Sequence, residues 1–167
     1  MIETFGVSSA FGNWVLSVDA DSRGIDASGA EVETCVTSVN WIGDETEVRA
    51  PVSAAAIAAA ALVRAYFEGE VRSLDAIGVG YRATSFKWRV SQYMRGIPAG
   101  QTDSYAGLAR RAARPKAVRA VGTVCSTNAI PLIVPCHRVV RADGSLGNYF
   151  YGVELKAALL RHEGALR

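Results

Sequence analysis

The chain changes sign along its length. Residues 1 to 75 hold four basic side chains (Arg23, Arg49, Arg64 and Arg72) against twelve acidic ones, a net −8. Residues 76 to 167 hold fourteen basic against four acidic, a net +10, which the overall charge of +2 conceals. Like charges gathered in each half favour two subdomains, one offering a basic face to a polyanion and one staying clear of it. We therefore expect a boundary near 75/76, with subdomains of residues 1–75 and 76–167. A basic face can also be no more than a solvated surface, so charge alone does not identify the partner.

At 167 residues, half of them apolar, the chain can bury a real core in one ordinary domain or two small ones. No apolar run reaches membrane-spanning length. The opening MIETFGVSSAFGNWVLSVDADS lacks the basic start and long apolar stretch of a secretory signal, so a cytoplasmic protein with no membrane partner is expected. Three cysteines, Cys35, Cys125 and Cys136, are an odd set without close pairing and argue against a disulfide framework. With only His137 and His162, and no C-x-x-C or H-x-x-x-H spacing, neither a metal nor a cofactor is expected.

Period-two alternation of Trp14, Leu16 and Val18 after a Ser/Gly turn predicts an opening hairpin. Residues 19 to 50 are acidic and weakly patterned, which predicts short strands and loops. Ser53 to Glu68, SAAAIAAAALVRAYFE, has a capping serine, strong helix formers and Gly69 just beyond its end, and predicts a helix. The connector DAIGVGYRA, residues 75 to 83, coincides with the change of charge.

Beyond it, Ser85 to Arg95 reads as a helix with Phe86, Val90, Tyr93 and Met94 on one face, stopped at Gly96-Ile97-Pro98-Ala99-Gly100. A second helix starts at Asp103 or Ser104 and runs to about Ala112, and Pro115 opens a third. Two short helices joined by a tight turn form a helix-turn-helix candidate, although such pairs also serve as plain packing units. The cluster Arg110, Arg111, Arg114, Lys116 and Arg119 suits phosphates, and Ala117, Ala120 and Gly122 are small enough for close approach to a nucleic-acid groove.

The run IPLIVPCHRVV, Ile130 to Val140, sets Cys136 beside His137 at the end of what reads as a buried strand, Leu132 to Val134, with Pro135 fixing the backbone. A thiol in apolar surroundings is ordinarily inert, because burial disfavours the thiolate. His137 is the nearest base. Strand neighbours face opposite ways, so the chain must bend or a water must bridge the pair. An imidazole that takes the thiol proton needs a counter-charge. Glu163, in the last turn of a closing helix from Val153 to His162 or Glu163 and just before Gly164, is a candidate, since the helix dipole disfavours a carboxylate there.

PCHRVV, preceded by Asn128 and followed by GNY and LLRHEG, closely resembles the O6-alkylguanine-DNA alkyltransferases (methylated-DNA–protein-cysteine methyltransferases). The resemblance is dense from about Thr84 to Gly164 and thin at Tyr66-Phe67-Glu68-Gly69. KAVRAVG, VCSTN, VVRADGSL and LLRHEG look most like the Ada-type branch.

The resemblance implies an α/β (α+β) fold: a ribonuclease H-like N-terminal subdomain with a small antiparallel sheet, then a mostly helical part with the helix-turn-helix and a short strand pair. It implies irreversible, single-turnover transfer of an alkyl group, mainly methyl, from O6-alkylguanine and O4-alkylthymine in duplex DNA to Cys136 after nucleotide flipping. His137 and Glu163 would activate the thiol, Asn128 would be the hinge asparagine, and Tyr105 would donate to the leaving base. Arg119 would enter the minor groove of double-stranded DNA and fill the flipped nucleotide's place. Val139, Tyr149, Phe150, Tyr151, Pro131 and Lys156 would form or adjoin the base pocket, in a monomer.

The sequence departs from the family in having Phe150-Tyr151 after Asn148-Tyr149, which implies a narrower pocket favouring methyl over benzyl. It also has Lys87 where glutamine is usual and Ser91 where tryptophan is common, with Trp88 one turn earlier. A cysteine hydrolase would need an oxyanion site that PCHR does not supply. A non-transferring damage sensor or DNA-binding regulator would keep the basic helix pair, but the family's non-transferring relatives lack the acceptor cysteine.

Overall fold

The computed structural model describes residues 1–44, 47–80 and 85–167. Its fold is mixed α/β, as the resemblance implies. Contacts group Met1–Tyr81 with Ala129–Ile133 in one unit, and Arg82–Asn128 with Val134–Arg167 in the other. The sequence reading set a single boundary at 75/76. The far end of the expected connector, residues 81–83, lies outside the described residues, as does Thr84.

The first unit opens with the predicted hairpin, β1 (Ile2–Ser9) and β2 (Gly12–Asp19), paired antiparallel from Ile2↔Asp19 to Ser9↔Gly12. Trp14, Leu16 and Val18 are fully buried on one face, as their alternation demands. Short strands β3 (Gly24–Ile25) and β4 (Glu31–Val32) pair antiparallel, and β5 (Val36–Gly43) completes the sheet in the order β1-β2-β5. The length of β5 exceeds the short strands expected for residues 19 to 50. Its register against β2 shifts at two places, and the irregularity blurs the alternation a sequence reading depends on.

Helix α1 (Ala54–Phe67) begins where predicted: the Ser53 hydroxyl accepts from the Ala56 amide at 3.2 Å. It ends at Gly69, whose φ of +113° suits glycine. Ala56, Ala59, Ala60, Val63 and Tyr66 are buried at the three-and-four spacing of a helix face, so the alanine run is a close-packing stripe. Phe67 sets its ring 5.9 Å from that of Trp14 on β2.

In the second unit, α2 (Phe86–Arg95) is capped by Ser85, whose hydroxyl accepts from the Trp88 amide. It buries Val90, Ser91, Met94 and Arg95, while Phe86 and Tyr93 are only half-buried, so the inward face is rotated from the predicted one. Strand β6 (Asp103–Ser104) leads into α3 (Tyr105–Arg111), and Ser104 caps it by accepting from the Gly107 amide at 2.9 Å.

Helix α4 (Val118–Ser126) follows, and Pro115 does not open it. The Ala117 amide donates to the Arg114 carbonyl, so Pro115 is spent in a turn and the helix starts three residues later with no side-chain cap. Strand β7 (Val139–Val140) pairs with β6 in parallel, giving the expected short pair, and α5 (Val153–His162) closes the chain.

Leu132–Val134 is not a strand. Residues 131–133 form a turn and Val134 a bend, with Leu132 at φ +75°, although Ile130, Leu132, Ile133 and Val134 are all buried. Pro131 and Pro135 lack amide donors at both ends of the run, and a short apolar stretch carries no period to separate a strand from a buried turn.

Candidate functional site

Cys136 begins a 3-10 turn, Cys136–Arg138, directly after Pro135. Three residues per turn fan successive side chains about one-third of a rotation apart, so the chain makes the bend that a Cys-His pair requires. Cys136 is 6% exposed and lines a cavity of about 570 Å³. His137 and Arg138, both buried, reach Glu163 instead.

Glu163 caps the C-terminal end of α5, ahead of Gly164 at φ +78°. Its Oε1 accepts from His137 Nε2 and from Arg138 Nη2, each at 2.9 Å, and its Oε2 accepts from Arg138 Nε at 2.9 Å. Arg138 Nη1 donates to the Ile97 carbonyl at 2.7 Å. A carboxylate set against the negative end of a helix is thus held by the Arg138 guanidinium and the His137 imidazole.

Burial alone would raise the Glu163 carboxyl, but the charges and hydrogen bonds of His137 and Arg138 outweigh it and keep Glu163 ionised far below the usual range. Burial pushes the His137 imidazole down, against the pull of Glu163. With Nε2–H given to a carboxylate, the neutral ring presents Nδ1 as an acceptor. That nitrogen is buried and makes no hydrogen bond to the described residues.

Burial likewise pushes the Cys136 thiol up, opposed by Asn128 and by the positive charge of Lys156. Asn128 Nδ2 lies 3.2 Å from Cys136 Sγ and donates to the Val134 carbonyl at 2.8 Å. One amide therefore holds both the sulfur and the backbone two residues before it. Lys156 is fully buried, and its Nζ donates to the carbonyls of Val139 (2.6 Å), Leu146 and Asn148 (3.4 Å). Burial lowers its pKa to about 8.

Of the expected residues, the cavity brings together Tyr105, Arg119, Cys136, Tyr149 and Phe150. The Tyr105 ring is half-buried, and Arg119 is exposed on α4. The Phe150 ring is 78% exposed and meets Tyr151 edge-on at 4.9 Å. Tyr151, Val139 and Lys156 do not line the cavity. Pro131 lies in the segment grouped with the first unit. Arg110, Arg114, Lys116 and Ala120 are exposed and Ala117 is half-buried, all outside the cavity wall. The Arg114 guanidinium sits 5.4 Å from the centre of the Phe86 ring.

Sequence reasoning missed three residues. Arg138 was legible in principle, since a charge inside an apolar run must find a buried partner. Cys125 lines the same cavity as Cys136, and burial pushes its thiol up to about 12. Arg141 also lines it, with no local pattern to mark it. The departures at α2 have plain consequences: Lys87 Nζ donates to the Thr127 carbonyl at the end of α4, and Ser91 is buried where a larger side chain would have to fit.

Residues 85–165 match the family model "6-O-methylguanine DNA methyltransferase, DNA binding domain". The bifunctional transcriptional activator/DNA repair enzyme Ada of Escherichia coli is 52% identical over 82 residues, covering 49% of this chain and 23% of that protein. A methylated-DNA–protein-cysteine methyltransferase of Salmonella typhimurium is 44% identical over 101 residues, covering 60% of this chain and 59% of its own. The matched stretches thus span less than two thirds of these relatives. The crystal structure of Mycobacterium tuberculosis O6-methylguanine methyltransferase is similar over 100% of this chain and 95% of that one, with a TM-score of 0.74 and 30% identity. A complex of the M. tuberculosis protein with DNA is similar over 95% and 90%, with a TM-score of 0.71. With likeness over the whole length added to the matched domain and the PCHRVV site, the chain belongs to the O6-methylguanine-DNA methyltransferase family.

Proposed function

We propose that this protein repairs alkylated DNA directly, moving a methyl group from the O6 of guanine, and from O4-alkylthymine, to Cys136. The observation that carries the reading is the cavity-facing Cys136 sulfur, with Asn128 on one side and the buried His137–Glu163–Arg138 set behind it. His137 Nδ1 accepts the thiol proton, directly or across one water, and Glu163 holds the imidazolium that results. The sulfur forms a bond to the alkyl carbon as the bond from that carbon to O6 breaks. Tyr105, at the cavity wall, supplies a proton to the departing guanine. The product thioether has no route back to a thiol, so each molecule reacts once.

The exposed basic residues of the helix pair, Arg110, Arg114 and Lys116, take the phosphates of duplex DNA. Arg119 projects into the minor groove to replace the flipped nucleotide, and Ala117 and Ala120 allow the close approach. Tyr149 and Phe150 border the base, with Tyr151 buttressing Phe150 and Lys156 shaping the loop behind them. Val139 follows the Cys136–Arg138 turn and gives its carbonyl to Lys156. The protein acts as a cytoplasmic monomer.

Intact and peptide mass spectrometry after mixing with a duplex containing O6-methylguanine tests this. One added methyl on Cys136, absent in Cys136→Ala, is the expected result. Binding without added mass would demote the protein to a sensor of damage.

A further inference from the structure

We infer that Arg141 holds a backbone phosphate of the extruded nucleotide at the rim of the Cys136 cavity, so that the target is gripped by its phosphate as well as by its base. The inference rests on the reading of Cys136 as the acceptor for a group carried on DNA. Among the described residues, Arg119 and Arg141 are the charged side chains on the cavity wall, and no carboxylate lines it. A guanine base is neutral. A cation beside its pocket therefore answers to the anion that travels with the base, and in a nucleotide that anion is the phosphate.

Arg119, on α4, is already assigned to the gap in the duplex, and Lys156 is buried with its ammonium committed to three carbonyls. Arg141 is exposed, and among the described residues its guanidinium has no hydrogen-bond or ion-pair partner. The carboxylate of Asp143 is turned to Ser145, whose amide and hydroxyl donate to its Oδ1 at 2.9 and 2.6 Å. The backbone of Arg141 is fixed. Its amide donates to the Ser145 carbonyl at 2.9 Å and its carbonyl accepts from the Gly144 amide at 3.0 Å, closing a turn directly after β7. The point where a side chain on Gly147 would begin lies 3.4 Å from the Tyr105 hydroxyl and 3.5 Å from Arg141 Cγ, and Gly147, at φ +71°, leaves that space clear. The arginine stem and the hydroxyl assigned to the leaving base thus converge over one glycine. This sets the cation beside the nucleotide whose base Tyr105 reaches, apart from the duplex contacts given to Arg110, Arg114 and Lys116.

The test is equilibrium binding, by fluorescence anisotropy, to a duplex with one O6-methylguanine, using the full chain with Cys136→Ala so that no transfer intervenes. Arg141→Gln should weaken binding and lower the steepness of log K against log salt by about 0.9, the loss of one phosphate contact. Arg141→Lys keeps the charge and should keep the slope. An uncharged methylphosphonate placed on the 5′ or the 3′ side of the lesion should, at one of the two positions, weaken the chain that has Arg141 and add little to the loss in Arg141→Gln. An unchanged salt slope in Arg141→Gln, or equal losses in both chains at both positions, would overturn the inference. Should Arg141→Gln not fold, indifference of the chain with Arg141 to both methylphosphonates would do the same. A parent protein whose Cys136 takes no methyl from this duplex would refute the repair reading separately, because the binding measurements do not depend on transfer.

Discussion

Arg138 meets Glu163 through two hydrogen bonds of equal length, Nε to Oε2 and Nη2 to Oε1, both at 2.9 Å and both buried. Removing one partner strands the other. Glu163→Gln should cost about 3–5 kcal/mol, because a buried guanidinium loses its counter-ion. The double variant Glu163→Gln/Arg138→Met should be less destabilised than the sum of the two single variants, as measured by urea unfolding.

Stability should fall with acid in two stages. His137 is held below its ordinary 6.5 by burial, so below that pH the unfolded chain binds a proton that the folded one refuses. Glu163 stays ionised far below its ordinary 4.5, so a further loss begins there and grows as pH falls. Urea midpoints at pH 8, 6 and 4 should decline in that order, and His137→Gln should flatten the first step.

Lys156 ties Val139, next to the Cys136–Arg138 turn, to Leu146 and Asn148 on the loop that leads to Tyr149. Lys156→Met keeps the volume but leaves those carbonyls without their donor, and should destabilise by about 2–4 kcal/mol. Lys156 loses its proton near 8 when folded but near its ordinary 10.5 when unfolded. Its contribution to stability therefore rises with pH across that interval, and the rise should vanish in Lys156→Met.

The turn between α3 and α4 carries Ala113 at φ +56°, exposed, where the Arg114 amide closes the helix end on the Ala109 carbonyl. An alanine in the left-handed region is strained by about 1 kcal/mol or more. Ala113→Gly should raise stability by about 0.5–1 kcal/mol after the entropy of the unfolded glycine is counted, which thermal unfolding would detect.

In competition for one pool of protein, O6-methylguanine should outpace O6-benzylguanine, with Tyr149 and Phe150 crowding the larger group at the cavity wall. Phe150→Ala should narrow the gap without loss of stability, since the ring is 78% exposed. Equal labelling by the two substrates would refute the steric account.

Helices were legible where caps and periodicity coincide. Ser53, Ser85 and Ser104 each mark a start that the hydrogen bonds bear out. Pro115 misled because its fixed φ suits a turn as well as a first helical residue. Leu132–Val134 misled because burial without period looks the same in a strand and in a turn. At the site, Cys136, His137, Asn128 and Glu163 could be read from the motif and its spacing. Arg138 went unread because its role depends on meeting Glu163 and Ile97, 25 and 41 residues away in sequence.

The Asn128 amide spans the neck of a short excursion, with Ala129–Ile133 grouped with the first unit and Val134 back in the second. The same nitrogen touches the Cys136 sulfur. Any replacement of Asn128 therefore changes the closure of a loop and the electronic surroundings of the Cys136 thiol in one stroke. An assay that scores such variants by lost activity alone would record an architectural failure as a chemical one, so Asn128 variants need a folding readout alongside every rate.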